Sequence, residues 1–181
     1  MSNNREERIY QNTVHLFLAI QRTGTSKDKK CIRTVIKHNE EEDLKVFEAK
    51  LKAIGGEWRI HKTVNSRDVK KAYKIFMKRM IDFPEKASII DSEWKTALLQ
   101  KECKATNLFM FDVDTKETEK LRKFENILKQ YQDLAYNVSA YKSSKGFHYI
   151  TLPFDTREIY KLDYVTLLRD GYYYIKTVNG E

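Results

Sequence analysis

Residues 108–114 have the sequence Leu-Phe-Met-Phe-Asp-Val-Asp, an apolar run that ends in two aspartates. Such a run is typical of a buried β-strand, in which residues two positions apart point to the same face. Asp112 and Asp114 would then face the same side, and their carboxylate oxygens suit Mg²⁺ or Mn²⁺. The alternative is that both aspartates lie just beyond the strand and cap the helix that begins near Thr115.

Strand patterns dominate the chain after that helix. Residues 134–141 and 147–152 are both strand-like, and residues 142–146 between them predict a tight connection. Asp170 and Gly171 lie between two further strand-like runs and predict a second hairpin turn. We therefore expect a largely antiparallel sheet in this part of the chain.

Strands and helices alternate in the first hundred residues. Apolar residues at every second position predict a hairpin formed by residues 13–20 and 31–37. An apolar stripe with helical spacing predicts a helix over 42–54. This helix is expected to end at Gly55 and Gly56, where a left-handed αL glycine is favoured.

Residues 58–64 predict another strand, and Asn65 or Ser66 is expected to cap the helix that follows it. A further helix is predicted at roughly 92–104. The element order predicts an α+β fold with a mixed, largely antiparallel sheet and flanking helices. We expect one domain, 1–181, made of an N-terminal αβ part (1–104) and a part that carries the motifs (105–181).

The composition limits the classes of protein to consider. Of the 181 residues, 41% are apolar and 33% are charged, so the chain can bury a core and extensive disorder is excluded. The net charge of +8 favours polyanionic partners such as nucleic acid, although many lysine-rich proteins carry this charge for solubility alone. The two cysteines lack zinc-ligand spacing, and no apolar run is long enough to cross a membrane. We expect a soluble, cytoplasmic protein that does not bind a membrane.

A second candidate site lies in the connection at 142–146. Ser144, Lys145 and Gly146 precede His148, which falls on the next predicted strand. Hydroxyl groups, backbone N–H groups, a lysine and a histidine can donate hydrogen bonds to a polyphosphate. Glycine allows the backbone to approach a ligand closely or to adopt a positive φ. The alternative is an ordinary hairpin with a half-buried histidine.

Together the two segments resemble the first two motifs of the archaeo-eukaryotic primase superfamily, the primase-polymerases. In that family an apolar strand ends in Asp-x-Asp or Asp-x-Glu, and a later turn with serine and glycine ends in Gly-x-His. The resemblance implies a primase-like catalytic core in which Asp112 and Asp114 hold the catalytic metals, Mg²⁺ or Mn²⁺. It also implies a set of residues that contact the triphosphate of an incoming nucleotide: Ser144, Lys145, Gly146 and His148.

The activity that this resemblance implies is nucleotidyl transfer, with nucleoside triphosphates and two divalent metals on a nucleic-acid template. The third family motif supplies one more acid for catalysis and metal binding, and Asp163 is the candidate, with Asp155 as its competitor. The alternative is a catalytically inactive relative that only binds nucleotide or nucleic acid. The sequence fits a small phage- or plasmid-borne member and leaves open whether it works inside a larger replication, repair or defence complex.

A haloacid-dehalogenase-like phosphatase is a different interpretation of the same aspartates, since its first motif also follows an apolar strand. The chain lacks that family's later Asp-Asp pair, and the predicted antiparallel strands at the C-terminal end do not suit its fold.

Four basic residues lie on the predicted strand at 58–64 and the helix after it, and they could track a phosphate backbone: Arg59, Lys62, Arg67 and Lys70. The alternative is a helix face that is simply solvated.

Overall fold

The computed structural model describes residues 12–21, 30–36, 39–131, 139–143 and 145–179. These residues contain ten strands: β1 (Thr13–Val14), β2 (Leu16–Gln21), β3 (Cys31–Val35), β4 (Glu57–Thr63), β5 (Arg67–Asp68), β6 (Phe109–Val113), β7 (Ser139–Lys142), β8 (Phe147–Thr151), β9 (Val165–Leu168) and β10 (Tyr172–Asn179). They also contain four α-helices: α1 (Glu40–Ile54), α2 (Val69–Asp82), α3 (Ile90–Leu98) and α4 (Thr118–Lys129). Short 3₁₀ helices occur at Pro84–Ile89, Lys101–Cys103 and Ile159–Lys161.

The strands form three sheets with the orders β1-β5, β10-β4-β2-β3 and β7-β8-β6-β9. The pairs β1–β5, β2–β3, β6–β8, β6–β9 and β7–β8 are antiparallel. The predicted α+β class with largely antiparallel pairing is confirmed. Among the described helices, none is both long enough and apolar enough to cross a membrane.

The chain divides into two compact units. Unit 1 consists of Met1–Ile60, Asn65–Thr106 and Lys176–Glu181, and unit 2 consists of His61–Val64 and Asn107–Ile175. Each unit is therefore built from segments that are far apart in the sequence.

Unit 1 contains the predicted hairpin, since β2 and β3 pair from Leu16 opposite Val35 to Ile20 opposite Cys31. Helix α1 ends as predicted at a glycine with a positive φ. This glycine is Gly55, and its φ of 81° and ψ of 166° lie outside the αL region. The chain therefore leaves the helix in an extended direction.

The cap that we predicted for α2 is wrong. Asp68 caps this helix by accepting a hydrogen bond of 3.0 Å from the backbone N–H of Lys71. Asn65 and Ser66 are buried and instead bond to Thr106: its hydroxyl donates to the Asn65 side chain and accepts from the Ser66 backbone N–H. The helix predicted at 92–104 is α3 followed by a 3₁₀ turn.

Unit 2 is organised around the sheet β7-β8-β6-β9. One face packs on α4, where Phe124 lies between Phe111 and Tyr149 at ring-centroid distances of 5.6 and 5.0 Å. Burial and a hydrogen bond of 2.9 Å to Glu125 raise the pKa of Tyr149. The other face carries Met110 and Ile150, which pack with Val64 and Tyr173. Side chains alternate between the two faces along each strand. Those at positions 110, 112, 148 and 150 therefore lie on the face of the sheet that points away from α4.

The hairpin predicted at Asp170 and Gly171 is wrong. Strand β9 pairs with β6, whereas β10 pairs with β4 in a different sheet. The Gly171 carbonyl accepts a hydrogen bond of 2.9 Å from the Val64 N–H, so the turn leads the chain to β4 and not back along β9.

Candidate functional site

The site centres on a contact between the two predicted motifs. Strands β6 and β8 are antiparallel neighbours, and their register places Asp112 directly opposite His148. Side chains opposite one another in a ladder share a face, and here Nε2 of His148 lies 3.2 Å from Oδ1 of Asp112. The His148 side chain is 11% exposed and that of Asp112 is 32% exposed. The carboxylate is therefore accessible from one side while it orients a buried ring.

The contact belongs to a polar row that crosses all four strands of the sheet. Tyr141 on β7 lies opposite His148, and Thr166 on β9 lies opposite Asp112. In the next row along the same face, Ile150, Met110 and Leu168 are apolar. The polar row therefore lies beside an apolar layer. The sequence alone does not identify Tyr141 and Thr166 as members of this row, because alternation shows which residues share a face of one strand but not the register between strands.

The ring of His148 has one polar atom without a partner. Its Nδ1 is buried and forms no hydrogen bond within the described residues. Leaving a buried polar group unsatisfied costs about 1–3 kcal/mol. The unbonded Nδ1 is therefore a cost of this arrangement, and a ligand could bond to it only after the atom became accessible.

Gly146 brings the second motif against the backbone of the first. A Cβ atom at this position would lie 1.9 Å from the Val113 carbonyl oxygen, 2.7 Å from that of Thr115 and 2.8 Å from the Thr115 nitrogen. Only glycine fits such an approach. The sequence suggested close approach to a ligand, but here the approaching partner is the chain itself.

The turn before Gly146 is closed by two hydrogen bonds with Ser143. The Ser143 N–H donates to the Gly146 carbonyl over 2.8 Å, and the Gly146 N–H donates to the Ser143 hydroxyl over 3.1 Å. The Gly146 N–H is thus already bonded and is not a spare donor for a phosphate. Lys145 is exposed at the turn, and Ser144 lies outside the described residues.

Asp114 follows the last residue of β6 and has an exposed side chain. Its backbone N–H donates to the Tyr164 carbonyl over 2.9 Å, which extends the β6–β9 ladder by one residue. Neither aspartate caps the next helix: Asp112 lies within the strand, and the Thr115 hydroxyl accepts from the Glu117 N–H before α4. The capping alternative is therefore wrong.

Asp163, the first candidate for the third acid, lies beside α4. The hydrogen bond from Lys120 to Glu117 is the main cause that raises the pKa of Lys120 on α4. The negative charge of Asp163 also raises this pKa, which indicates that Asp163 lies near Lys120. Asp112 lies on the opposite face of the sheet from α4. Within the described residues, no three His, Cys, Asp or Glu side chains are grouped so that they could hold a metal. Asp112, Asp114 and Asp163 therefore do not form a preassembled set of ligands.

Asp155, the competing candidate, is bound by a neighbouring arginine. The Nε of Arg157 donates to both carboxylate oxygens of Asp155, at 3.0 and 2.8 Å. These hydrogen bonds lower the pKa of Asp155. The carboxylate already has a cationic partner.

The predicted phosphate-tracking residues do not form one exposed surface. Arg67 is only 2% exposed, because it lies in β5 opposite Val14 and forms an isolated β-bridge with Lys104. Its predicted place on a nucleic-acid surface is therefore wrong. Arg59 and Lys62 point to opposite faces of β4, since they are an odd number of positions apart. Lys70 is exposed on α2.

The chain matches no protein-family model, and neither curated proteins nor solved structures give a match.

Proposed function

We propose that the protein is a primase-polymerase-like nucleotidyl transferase that uses nucleoside triphosphates and Mg²⁺ or Mn²⁺ on a nucleic-acid template. The observation that carries the proposal is the 3.2 Å contact between Asp112 and His148. It joins the two segments whose sequences resemble the first two motifs of that superfamily. The packing of Gly146 against residues 113–115 supports the same pairing of the motifs.

Asp112 and Asp114 are the residues that would hold the cation. The Asp112 carboxylate is 32% exposed and that of Asp114 is exposed, and carboxylate oxygens are the donors that Mg²⁺ prefers. Mg²⁺ usually binds through one or two protein carboxylates together with substrate phosphates, so these two residues fit it without a third protein ligand. When bound, the cation supplies the positive charge that lets a triphosphate and an attacking hydroxyl approach the aspartates.

His148 would orient the triphosphate. Its Nε2 faces Asp112, and its buried Nδ1, which has no partner among the described residues, would have to become accessible to bond to the ligand. Phosphate oxygens only accept hydrogen bonds, so the ring would have to donate one from Nδ1. The ring would then lie between the Asp112 carboxylate and a phosphate. Lys145 at the exposed turn would add a positive charge.

The test is metal-dependent nucleotide incorporation by the wild type and the Asp112→Asn variant, with ribo- and deoxyribonucleotides and either metal. We expect Asp112→Asn to abolish primer extension and dinucleotide synthesis but to retain nucleic-acid affinity. Asp82→Asn is the matched control, since it removes the same charge from an exposed residue of α2. An Asp112→Asn variant that keeps full activity would refute the proposed role of this residue.

A second candidate function is nucleic-acid or nucleotide binding without catalysis. The observation that favours it is the lack of three grouped metal-ligating side chains in the described part of the chain. Wild-type protein that binds nucleic acid but incorporates no nucleotide with Mg²⁺ or Mn²⁺ would establish this alternative.

A further inference from the structure

A cavity of about 360 Å³ lies in unit 1 at the meeting point of one strand and two helices. Strand β3 contributes Cys31 and Arg33, helix α1 contributes Lys50, and helix α3 contributes Asp91, Ser92 and Lys95. None of these residues belongs to the site around Asp112. Because three separate elements form the walls, the cavity is a product of the fold and not of a single run of basic residues.

The charge of the lining is unbalanced. Three cationic side chains face one carboxylate, and that carboxylate, on Asp91, already pairs with Lys95 one helical turn away. Within the described residues, Arg33 and Lys50 form no ion pair. Among the described residues, these two positive charges at the cavity therefore have no countercharge.

The lining also limits the kind of ligand. Among the described residues that line the cavity, Ile32 is the one aliphatic member, and none has an aromatic side chain on which a base could stack. Arginine binds phosphate through paired N–H donors, lysine contributes a point charge, and the Ser92 hydroxyl can donate a hydrogen bond. The volume lies near the lower end of the range for small-molecule sites, about 300–1,000 Å³. These features fit a compact, highly charged anion better than a nucleobase.

We propose that this cavity binds the phosphate groups of a phosphorylated ligand through Arg33, Lys50 and Lys95. The same chemistry is offered by the oligophosphate of a free nucleotide and by the phosphorylated 5′ end of a nucleic-acid strand. The proposal does not depend on the Asp112 site, because no residue is shared between the two.

The two cysteines of the chain provide a reporter and an internal control. Cys31 is exposed and lines the cavity, whereas Cys103 is completely buried. Burial raises the pKa of the Cys103 thiol, which keeps it in the unreactive protonated form. An alkylating reagent should therefore modify Cys31 in the native protein, and a ligand in the cavity should slow this reaction.

The experiment measures the rate of Cys31 alkylation by iodoacetamide as tripolyphosphate is added. We expect saturable protection of the wild type. The double variant Arg33→Gln/Lys50→Gln should weaken it about tenfold or more, because each hydrogen bond to a charged group contributes substantially to affinity. The control Arg122→Gln/Lys123→Gln removes the same two residue types from the exposed surface of α4 and should bind like the wild type. Urea unfolding of each variant establishes that it is folded.

Three outcomes decide the proposal. The proposal is overturned if tripolyphosphate fails to protect Cys31 in the wild type. It is also overturned if the control variant loses as much protection as the Arg33 and Lys50 variant. Selective loss in the Arg33 and Lys50 variant supports it. ADP and oligonucleotides with either a 5′-phosphate or a 5′-hydroxyl then identify the source. Protection by ADP alone indicates a free nucleotide, and protection by the 5′-phosphorylated strand alone indicates a nucleic-acid end.

Discussion

Replacing Gly146 with alanine should destabilise unit 2 and separate the two motifs. The added Cβ would lie 1.9 Å from the Val113 carbonyl oxygen, whereas ordinary contacts begin near 3.4 Å. The two backbones must therefore move apart by about 1.5 Å, the difference between these distances. The atoms that the methyl group meets belong to the backbone, so no side-chain rotation can relieve the overlap. The movement would disturb the β6–β8 ladder where Val113 pairs with Phe147.

The expected loss of unfolding free energy is about 2–4 kcal/mol, which combines overpacking with one or two weakened ladder hydrogen bonds. Equilibrium urea unfolding measures it. Gly171→Ala is the matched control in the same unit, because its Cβ would meet only side-chain atoms, at 3.4 Å from Met110 and 3.7 Å from Leu168. This control should change stability by less than about 1 kcal/mol. If both variants unfold within about 0.5 kcal/mol of each other, the close approach at Gly146 does not constrain the site.

Two further predictions concern ion pairs. Arg79→Ala should cost about 2–3 kcal/mol in urea unfolding, because Glu93 is 7% exposed and its Oε2 lies 2.7 Å from Nε of Arg79; a loss below about 0.5 kcal/mol would contradict a structural role for the pair. Arg157→Gln should raise the pKa of Asp155, which NMR titration of its carboxyl carbon can follow. Since the pKa of Asp155 is lowered in the folded state, the stabilisation from this pair is present at neutral pH and is lost as the pH falls through that pKa. An unchanged Asp155 titration in the variant would show that Arg157 does not lower this pKa.

Local patterns predicted the elements well where one segment of the chain determines the outcome. The alternation in β2 and β3 and the apolar stripe of α1 depend only on neighbouring residues, and each element was found close to its predicted position. The Asp112–His148 contact joins strands that are separated along the chain by α4 and β7, so it was expected from the resemblance of the two motifs and not from local patterns. The sequence did not determine the register that places Tyr141 and Thr166 in the same row.

Predictions failed where a residue has a distant partner. Asp170 and Gly171 form a good turn, but a turn does not determine which strand the chain joins next, and β10 pairs with β4. Asn65 and Ser66 are good helix caps by type, but both bond to Thr106 far along the chain. Arg67 appeared suited to the surface because it is charged, and its burial depends on contacts with β1 and Lys104 that no local pattern contains.

The pairing of β10 with β4 has a consequence for synthesis on the ribosome. Strand β4 ends at Thr63, but its neighbour β10 begins only at Tyr172. At about 5–20 residues per second, one edge of β4 has no native partner for roughly 5–20 s after it is made. An open strand edge can pair with another nascent chain on the same message. We therefore expect the yield of native protein to depend on translation speed and ribosome spacing as well as on the stability of the finished fold.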